Sequence, residues 1–273
     1  MEERKIKEIK YYDRKAEKWL EENGMGKFAE LRSSHASAKA SAFEGFKPQL
    51  LSSYQFLYRL LKKHCPRKIV LDYGCGNGLH STFLVKAGAK KVIGIDLSAK
   101  SLERARERAI KEGMEDKIEF LAMDCEEMGF PSDMFSLVLD GGTFSSLDLK
   151  KALPELVRVL KPGGLLIGIE TFGHNPLTNL KRKINKLTGK RTGWATEHIF
   201  QMKDLELAQR YFGDIKVYYF HLVSWLVFPF LRFPAARFFL KMAEIIDKIL
   251  LKISFLRKYA FKVVFLFSEP KLK

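Results

Sequence analysis

Five acidic residues, Asp72, Asp96, Asp124, Asp140 and Glu170, each follow or close a short apolar run in the middle of this 273-residue chain. Asp72 runs straight into glycines at alternate positions, in Ile69-Val-Leu-Asp-Tyr-Gly-Cys-Gly-Asn-Gly78. That spacing lets the backbone turn sharply and admits a ligand close to its N–H groups. A helix start just behind it offers further free N–H groups. Asp96 stands 18 residues beyond Gly78, where a carboxylate can accept both hydroxyls of an adenosine ribose. The glycines are not spaced as the G-x-G-x-x-G that lays a pyrophosphate on a helix. Asp72, two residues ahead of the first of them, would repel a phosphate but attract an amino group or a sulfonium. The turn therefore favours a zwitterionic or cationic nucleoside ligand. Strand-end acids also cap the segment that follows them, and for Asp140 and Glu170 that reading stays open.

These residues need strands and helices in alternation to bring them together. Apolar runs predict strands at Lys68–Tyr73, Lys91–Asp96, Ile118–Ala122, Phe135–Leu139, Leu165–Glu170, Ile215–Val223 and Phe261–Phe267. Helices are expected at Leu79–Ala87, at Ser98–Glu112 (Ser98 as N-cap, Gly113 as terminator), at Leu149–Leu160, ending at Lys161-Pro-Gly-Gly164, and at Met202–Phe212. Before them come a helix over 2–22 and two more within 27–64, separated near Gly45 and Pro48, the second over Gln49–Lys63. Strand–helix alternation predicts an α/β fold with a mostly parallel sheet. Ligands in such a sheet sit beyond the carboxyl ends of the strands, near the switch in strand order.

Hydrophobic residues make up 47% of the chain, ample for a core. Three cysteines, Cys65, Cys75 and Cys125, form no disulfide framework and point to a reducing cytosol; no signal peptide is visible. The net charge of +16 invites an anionic membrane, a nucleic acid or an acidic substrate. Half of the excess lies in 216–273, with 11 Lys/Arg against 3 Asp/Glu. A second cluster is Lys181, Arg182, Lys183, Lys186, Lys190 and Arg191. No H-x-x-x-H or C-x-x-C pair suggests a metal, and no P-loop, H-R-D or G-x-S-x-G supports a helicase, kinase or hydrolase.

The segments Val70-Leu-Asp-Tyr-Gly-Cys-Gly-Asn-Gly78, Val92-Ile-Gly-Ile-Asp96-Leu-Ser98, Met123-Asp124-Cys125 and Val159-Leu-Lys-Pro-Gly-Gly164 come in order and at consistent spacing. Together they resemble the class I S-adenosylmethionine-dependent methyltransferases, across about 51–212. The resemblance implies a Rossmann-like, doubly wound, mostly parallel seven-stranded sheet with N-terminal helices and a helical insertion before the last strand. It divides the chain into an N-terminal helical cap (1–66), a cofactor-binding core (67–223, with 171–200 as a substrate-side loop), the insertion (224–259), and a closing strand and tail (260–273). It implies S-adenosylmethionine as cofactor. Gly74, Cys75, Gly76 and Gly78 would then pass its methionine part, with Asp72 near the amino group and Asp96, followed by Leu97, at the ribose. Asp124 would meet the adenine amino group and Cys125 supply a backbone contact, while Asp140 and Gly141 line the methyl-transfer site. Phe135-Ser136 departs from the family's usual Phe-Asp, at a strand start.

Two regions concern the acceptor. Gly173-His-Asn-Pro-Leu-Thr-Asn179 and Arg191-Thr-Gly-Trp-Ala-Thr-Glu-His198 resemble a subgroup with a His-Asn-Pro and a later Glu-His. His174, Glu197 and His198 can act as a general base or orient a nucleophile, or else only fix the loop. In 224–259, Arg237, Lys241, Glu244, Lys248 and Lys252 recur at helical spacing, with Phe238, Phe239, Met242, Ile245, Ile246, Ile249 and Leu250 filling another side. This basic amphipathic helix packs on its own domain or pairs with a second copy, lies on an anionic membrane, or contacts RNA. The function expected is methyl transfer to a small-molecule or lipid-like acceptor, in the cytoplasm or peripheral to a membrane; the alternative is RNA modification, with nucleic acid the less favoured partner.

Overall fold

The computed structural model describes residues 1–23, 51–187 and 192–271, apart from 232 and 234. The helix expected between 27 and 48, with Gly45 and Pro48 at its end, and Lys190 and Arg191 of the basic cluster lie outside the described residues.

Helix α1 (Glu3–Asn23) comes first, and α2 (Ser52–His64) leads into the core. There follow β1 (Ile69–Tyr73), α3 (Leu79–Lys86), β2 (Lys91–Asp96), α4 (Ala99–Lys111), β3 (Ile118–Ala122) and β4 (Phe135–Asp140). Next come α5 (Leu149–Val159), β5 (Leu160–Thr171), α6 (Pro176–Leu187), α7 (Gly193–Glu197), α8 (Met202–Ala208) and β6 (Phe212–Phe220). The insertion holds a 3-10 turn (Ser224–Phe230), α9 (Ala236–Leu250) and the short α10 (Ser254–Arg257), and β7 (Lys262–Pro270) closes the chain.

The seven strands form one sheet in the order β3-β2-β1-β4-β5-β7-β6. The first five are parallel, and β7 runs antiparallel to both β5 and β6. This is the Rossmann-like, doubly wound sheet expected, with its switch in strand order between β1 and β4. Both faces are covered, so the central strands are apolar on both sides. One face packs Leu57, Leu61, Leu84, Leu102 and Ala105 on Val70, Val92 and Leu137; the other packs Leu153, Leu156, Phe172 and Phe200 on Leu71, Val138 and Phe265.

Several boundaries move from the expected ones. Ser98 does cap α4, its hydroxyl accepting from Ser101 N–H, and Gly113 takes the positive φ of +64° just beyond the helix. Lys161-Pro-Gly-Gly164, however, lies inside β5 and not before it, because Leu160 already pairs with Phe135 across a register shift. The strand expected at Ile215–Val223 runs instead over Phe212–Phe220, taking Phe212 from the expected helix, which ends at Ala208, since Phe212 pairs with Pro270. The polar excursion 171–200 is not a plain loop: it contains α6 and α7.

Because β6 runs parallel to β5, the insertion leaves the sheet at the same edge as the carboxyl ends of β1 to β5. The register states this directly: Lys262 pairs with Thr171 on one side and with Phe220 on the other. The insertion is pinned there by a buried polar hub. His221 bonds Ser53 Oγ at 2.9 Å and Ser224 Oγ at 2.8 Å, and burial holds its pKa down at about 3, with Lys262 adding to the effect. Asp247 of α9 accepts from the N–H groups of Val223 and Ser224, and Glu244 from Ser52 N–H.

Candidate active site

The glycine turn sits at the strand-order switch. Gly74, Gly76 and Gly78 have φ of +67°, +51° and +72°, a region costly for residues with a Cβ. A Cβ on Gly74 would also meet Thr143 Oγ1 at 2.3 Å, whereas one on Gly76 would meet nothing within 4 Å. The turn is therefore packed behind Gly74 and open at Gly76, as a cradle for a ligand must be. Cys75, next to it, is buried.

Around this cradle the strand-end acids are spread by the sheet register, which sets Asp72 beside Gly94 and Tyr73 beside Asp140. Asp72 is 1% exposed and accepts from Ser81 Oγ at 2.5 Å; burial, opposed by that bond, pushes its pKa up to about 7. A carboxyl so placed gains most from a cationic neighbour. Asp96 Oδ2 accepts from Gly76 N–H at 2.9 Å and Oδ1 from Ser98 N–H at 2.8 Å, so the same carboxylate both shapes the turn and ends β2. Each carboxylate oxygen can accept again, which leaves capacity for a ribose. Leu97, half-buried, follows it.

Asp124 and Cys125 lie at the exit of β3. Asp124 Oδ1 accepts from Glu126 N–H at 2.9 Å, and its Oδ2 pairs with Lys5 Nζ of α1 at 2.6 Å. The Cys125 carbonyl accepts from the Tyr73 hydroxyl at 2.7 Å. Helix α1 spans this whole side of the cleft. Arg4 and Lys5 pair with the buried Glu126, Glu8 with Thr192 and Ser146, and Asp13 accepts from Ser98 Oγ at 2.6 Å. These clamps were not legible beforehand, since the partners stand more than 80 residues apart.

At the exit of β4, Asp140 is fully buried. Its Oδ1 accepts from Thr143 N–H at 2.9 Å and Gly142 N–H at 3.3 Å, while Oδ2 has no partner among the described residues. Burial, reinforced by Glu170, raises its pKa well above the carboxylate range. Gly141 faces a residue that the sequence did not single out. A Cβ there would come 2.8 Å from His80 Cδ2, so only glycine admits the His80 ring. That ring stacks on Tyr54 at 6.3 Å between centroids and tilts against Tyr58 at 6.1 Å. Burial lowers its pKa to about 4, with Lys262 adding to the effect, and Nδ1 has no partner among the described residues. Lys262 Nζ stands 5.6 Å over the Tyr54 ring. His80, Tyr54 and Lys262 come from α3, α2 and β7. No local spacing could have grouped them, though His80 follows the glycine turn by only two residues.

His174, Glu197 and His198 lie around α7 and the start of α8, with Asp204 within electrostatic reach of both histidines, and each bonds a partner of its own. His174 Nε2 accepts from Met202 N–H at 3.1 Å at the start of α8, and burial, with Lys258, holds its pKa down. Glu197 is exposed and pairs with Lys186 at 2.5 Å, which holds its carboxyl below the usual range. His198 is exposed too, stacked on Trp194 at 3.6 Å with Nδ1 at the Trp194 carbonyl. As placed, each is bonded within the segment that carries α6, α7 and the start of α8.

Residues 70–164 match the family of methyltransferase domains. The chain is 34% identical over 99 residues to a ribosomal protein methyltransferase of Vibrio cholerae, covering 36% of this chain and 32% of that one. It is 37% identical over 97 residues to a sterol 24-C-methyltransferase of Aspergillus fumigatus, covering 35% of this chain and 26% of that one. It thus spans less than a third of either relative's length. Among solved structures, it is similar to Haemonchus contortus phosphoethanolamine N-methyltransferase 2, in complex with phosphomonomethylethanolamine and S-adenosylhomocysteine. The TM-score is 0.58 at 20% identity, over 81% of this chain and 54% of that one. Sheet order and match together point to one class: the fold is Rossmann-like, and the segment 70–164 with its glycine cradle is similar to methyltransferase domains. Within that class, relatives as different as a sterol and a ribosomal protein methyltransferase share the segment.

Proposed function

We propose that this protein transfers the methyl group of S-adenosylmethionine to a small-molecule, lipid-like acceptor that it meets at a membrane surface. The observation that carries the transfer is the Gly76 cradle, open between the buried Asp72 and the turn-holding Asp96. Asp72 would face the amino group, Asp96 the ribose, Asp124 and Cys125 the adenine, and Asp140 with Gly141 the reacting end. When bound, the cofactor supplies an electrophilic methyl group on a sulfonium. What the chain adds is contact, alignment and exclusion of water.

His80 is the residue assigned to the acceptor's proton. With a pKa of about 4 its imidazole is neutral at pH 7; Cδ2 and Nε2 face Gly141, while the buried Nδ1 has no partner among the described residues. A neutral ring nitrogen there can receive the proton of a hydroxyl or amine as the methyl group arrives. His80→Ala is expected to lower kcat roughly 100-fold while leaving the titrated affinity for S-adenosylhomocysteine unchanged. Any fall in the wild-type kcat between pH 5 and 7 should persist in His80→Ala, because Asp72, at about 7, titrates there while protonation of His80 begins only as pH falls towards 4. A fall centred near the ordinary imidazole value of about 6.5 that His80→Ala abolishes would remove His80 from this role of a base kept neutral by burial.

The lipid-like acceptor is supported by the aromatic wall of Tyr54 and Tyr58 and by the large apolar surface of the neighbouring insertion. RNA is the second reading, favoured by the net charge of +16. Transfer of labelled methyl groups into separated lipid, small-molecule and RNA fractions of an extract tests the choice. Label in the RNA fraction alone would reject the first reading.

A further inference from the structure

Helix α9 divides into three sectors when its residues are set about 100° apart. Ala236, Leu240 and Asp247 form the first and are buried against the domain. Arg237, Lys241 and Lys248 form the second, all exposed. Phe238, Phe239, Met242, Ile245, Ile246 and Ile249 form the third, and this apolar sector points away from the domain. Phe238 is 64% exposed, Phe239 59% and Ile249 61%. Leu226, Phe230 and Phe233 before the helix and Ile253 and Phe255 after it are exposed as well. The contact with the domain is thus made by two small or medium apolar residues and the carboxylates of Glu244 and Asp247, not by the strongly apolar side. A water-facing stretch of this kind marks an interaction site.

Charge says what kind. Residues 224–259 hold seven Lys/Arg and two acids, Glu244 and Asp247. Both acids are turned inward, onto Ser52 N–H and onto Val223 and Ser224 N–H. The outer surface of the insertion therefore offers apolar and cationic groups with no carboxylate among them. A second copy would bring the same unrelieved cationic groups, and an RNA groove would leave the aliphatic sector in water. A surface that is anionic at its headgroups and apolar just beneath satisfies both sectors, with the lysine stems lying along the apolar side. Among the described residues no helix is long and apolar enough to cross a membrane, so the contact is interfacial.

We infer that the outward face of 224–259 docks this protein on an anionic lipid bilayer. The same edge of the sheet carries the insertion and the strand ends of the candidate site, so docking sets the acceptor side beside the lipid. Only that last step rests on the proposed methyl transfer; the docking itself does not.

Flotation of the full chain with phosphatidylcholine vesicles, with or without phosphatidylglycerol, tests it. The protein should float with phosphatidylglycerol vesicles and less so as salt rises. Phe238→Asp with Ile245→Asp should weaken flotation roughly tenfold or more, and Lys241→Glu with Lys248→Glu should remove the preference for anionic vesicles. All four side chains are exposed, and S-adenosylhomocysteine titration with circular dichroism checks that each variant stays folded. That titration also separates loss of docking from failure of the methyltransferase reading. No flotation of the wild type, or flotation unchanged in the apolar variant, overturns the inference. So does a dimer in light scattering that the apolar variant splits while vesicles bind neither form.

Discussion

Asp96→Ala is expected to weaken S-adenosylhomocysteine binding by roughly 100-fold or more in isothermal titration, from the loss of two hydrogen bonds to a charged acceptor. The residue acts twice in one place. Its Oδ2 holds Gly76 N–H and its Oδ1 holds Ser98 N–H, so the alanine variant loses the ribose acceptor and frees the turn that the ligand lies on. Asp96→Asn separates the two effects. The amide oxygen keeps one of the backbone bonds but cannot accept at both positions, so an intermediate loss is expected. An unchanged affinity in the alanine variant would show that the ligand does not use this carboxylate, and the assignment of the cleft would fail with it.

Glu126→Ala should destabilise the protein by about 3 kcal/mol, the lower end for removing one partner of a buried ion pair. Glu126 is 6% exposed and serves Arg4, Lys5 and Asp148 N–H at once. Its removal strands two cations of α1, and undocking of α1 is the escape, which caps the cost. Hydrogen exchange over residues 2–17 should therefore rise far more than exchange in β1 or β4. Acid should act in the same way. Burial alone would raise the Glu126 pKa, but Arg4, Asp148 N–H and Lys5 outweigh it and hold the carboxyl below its ordinary value of 4.5. A carboxyl depressed on folding contributes its stability above the unfolded value and loses it as pH falls through the folded one. α1 should thus stay docked at pH 5 and loosen only once pH has fallen below the ordinary value of 4.5. Uniform exchange along the chain on acidification would count against a local clamp.

Much of the sheet and of the glycine-turn side of the candidate site is legible in the sequence because each piece is local. β1 with its glycines, β2 with Asp96 and β3 with Asp124 each present their chemistry within a few residues. The helix stop and strand start at Val159 and Leu160 were harder, since pairing with Phe135 overrides the Pro-Gly-Gly signal. The acceptor side was barely legible. His174, Glu197 and His198 stood out by residue type, yet their polar atoms are engaged by Met202, Lys186 and Trp194, partners that only the folded chain supplies. His80 attracted no notice because its meaning depends on Gly141, 61 residues on, having no side chain. The periodicity of α9 gave its apolar side correctly but not its direction. Nothing in a helical repeat says which sector meets the domain, and here the buried Ala236, Leu240 and Asp247 decide it.

The clamps of α1 also order events in time. Its bonds run from Arg4 to Glu126, from Glu8 to Ser146 and Thr192, and from Asp13 to Ser98, so α1 waits for anchors made 85 to 184 residues later. Closing such long loops comes after local contacts are in place. The glycine turn with Asp96 belongs to the contiguous β1-α3-β2 unit and needs none of these partners. The turn and its bond to Asp96 can therefore form before α1 docks.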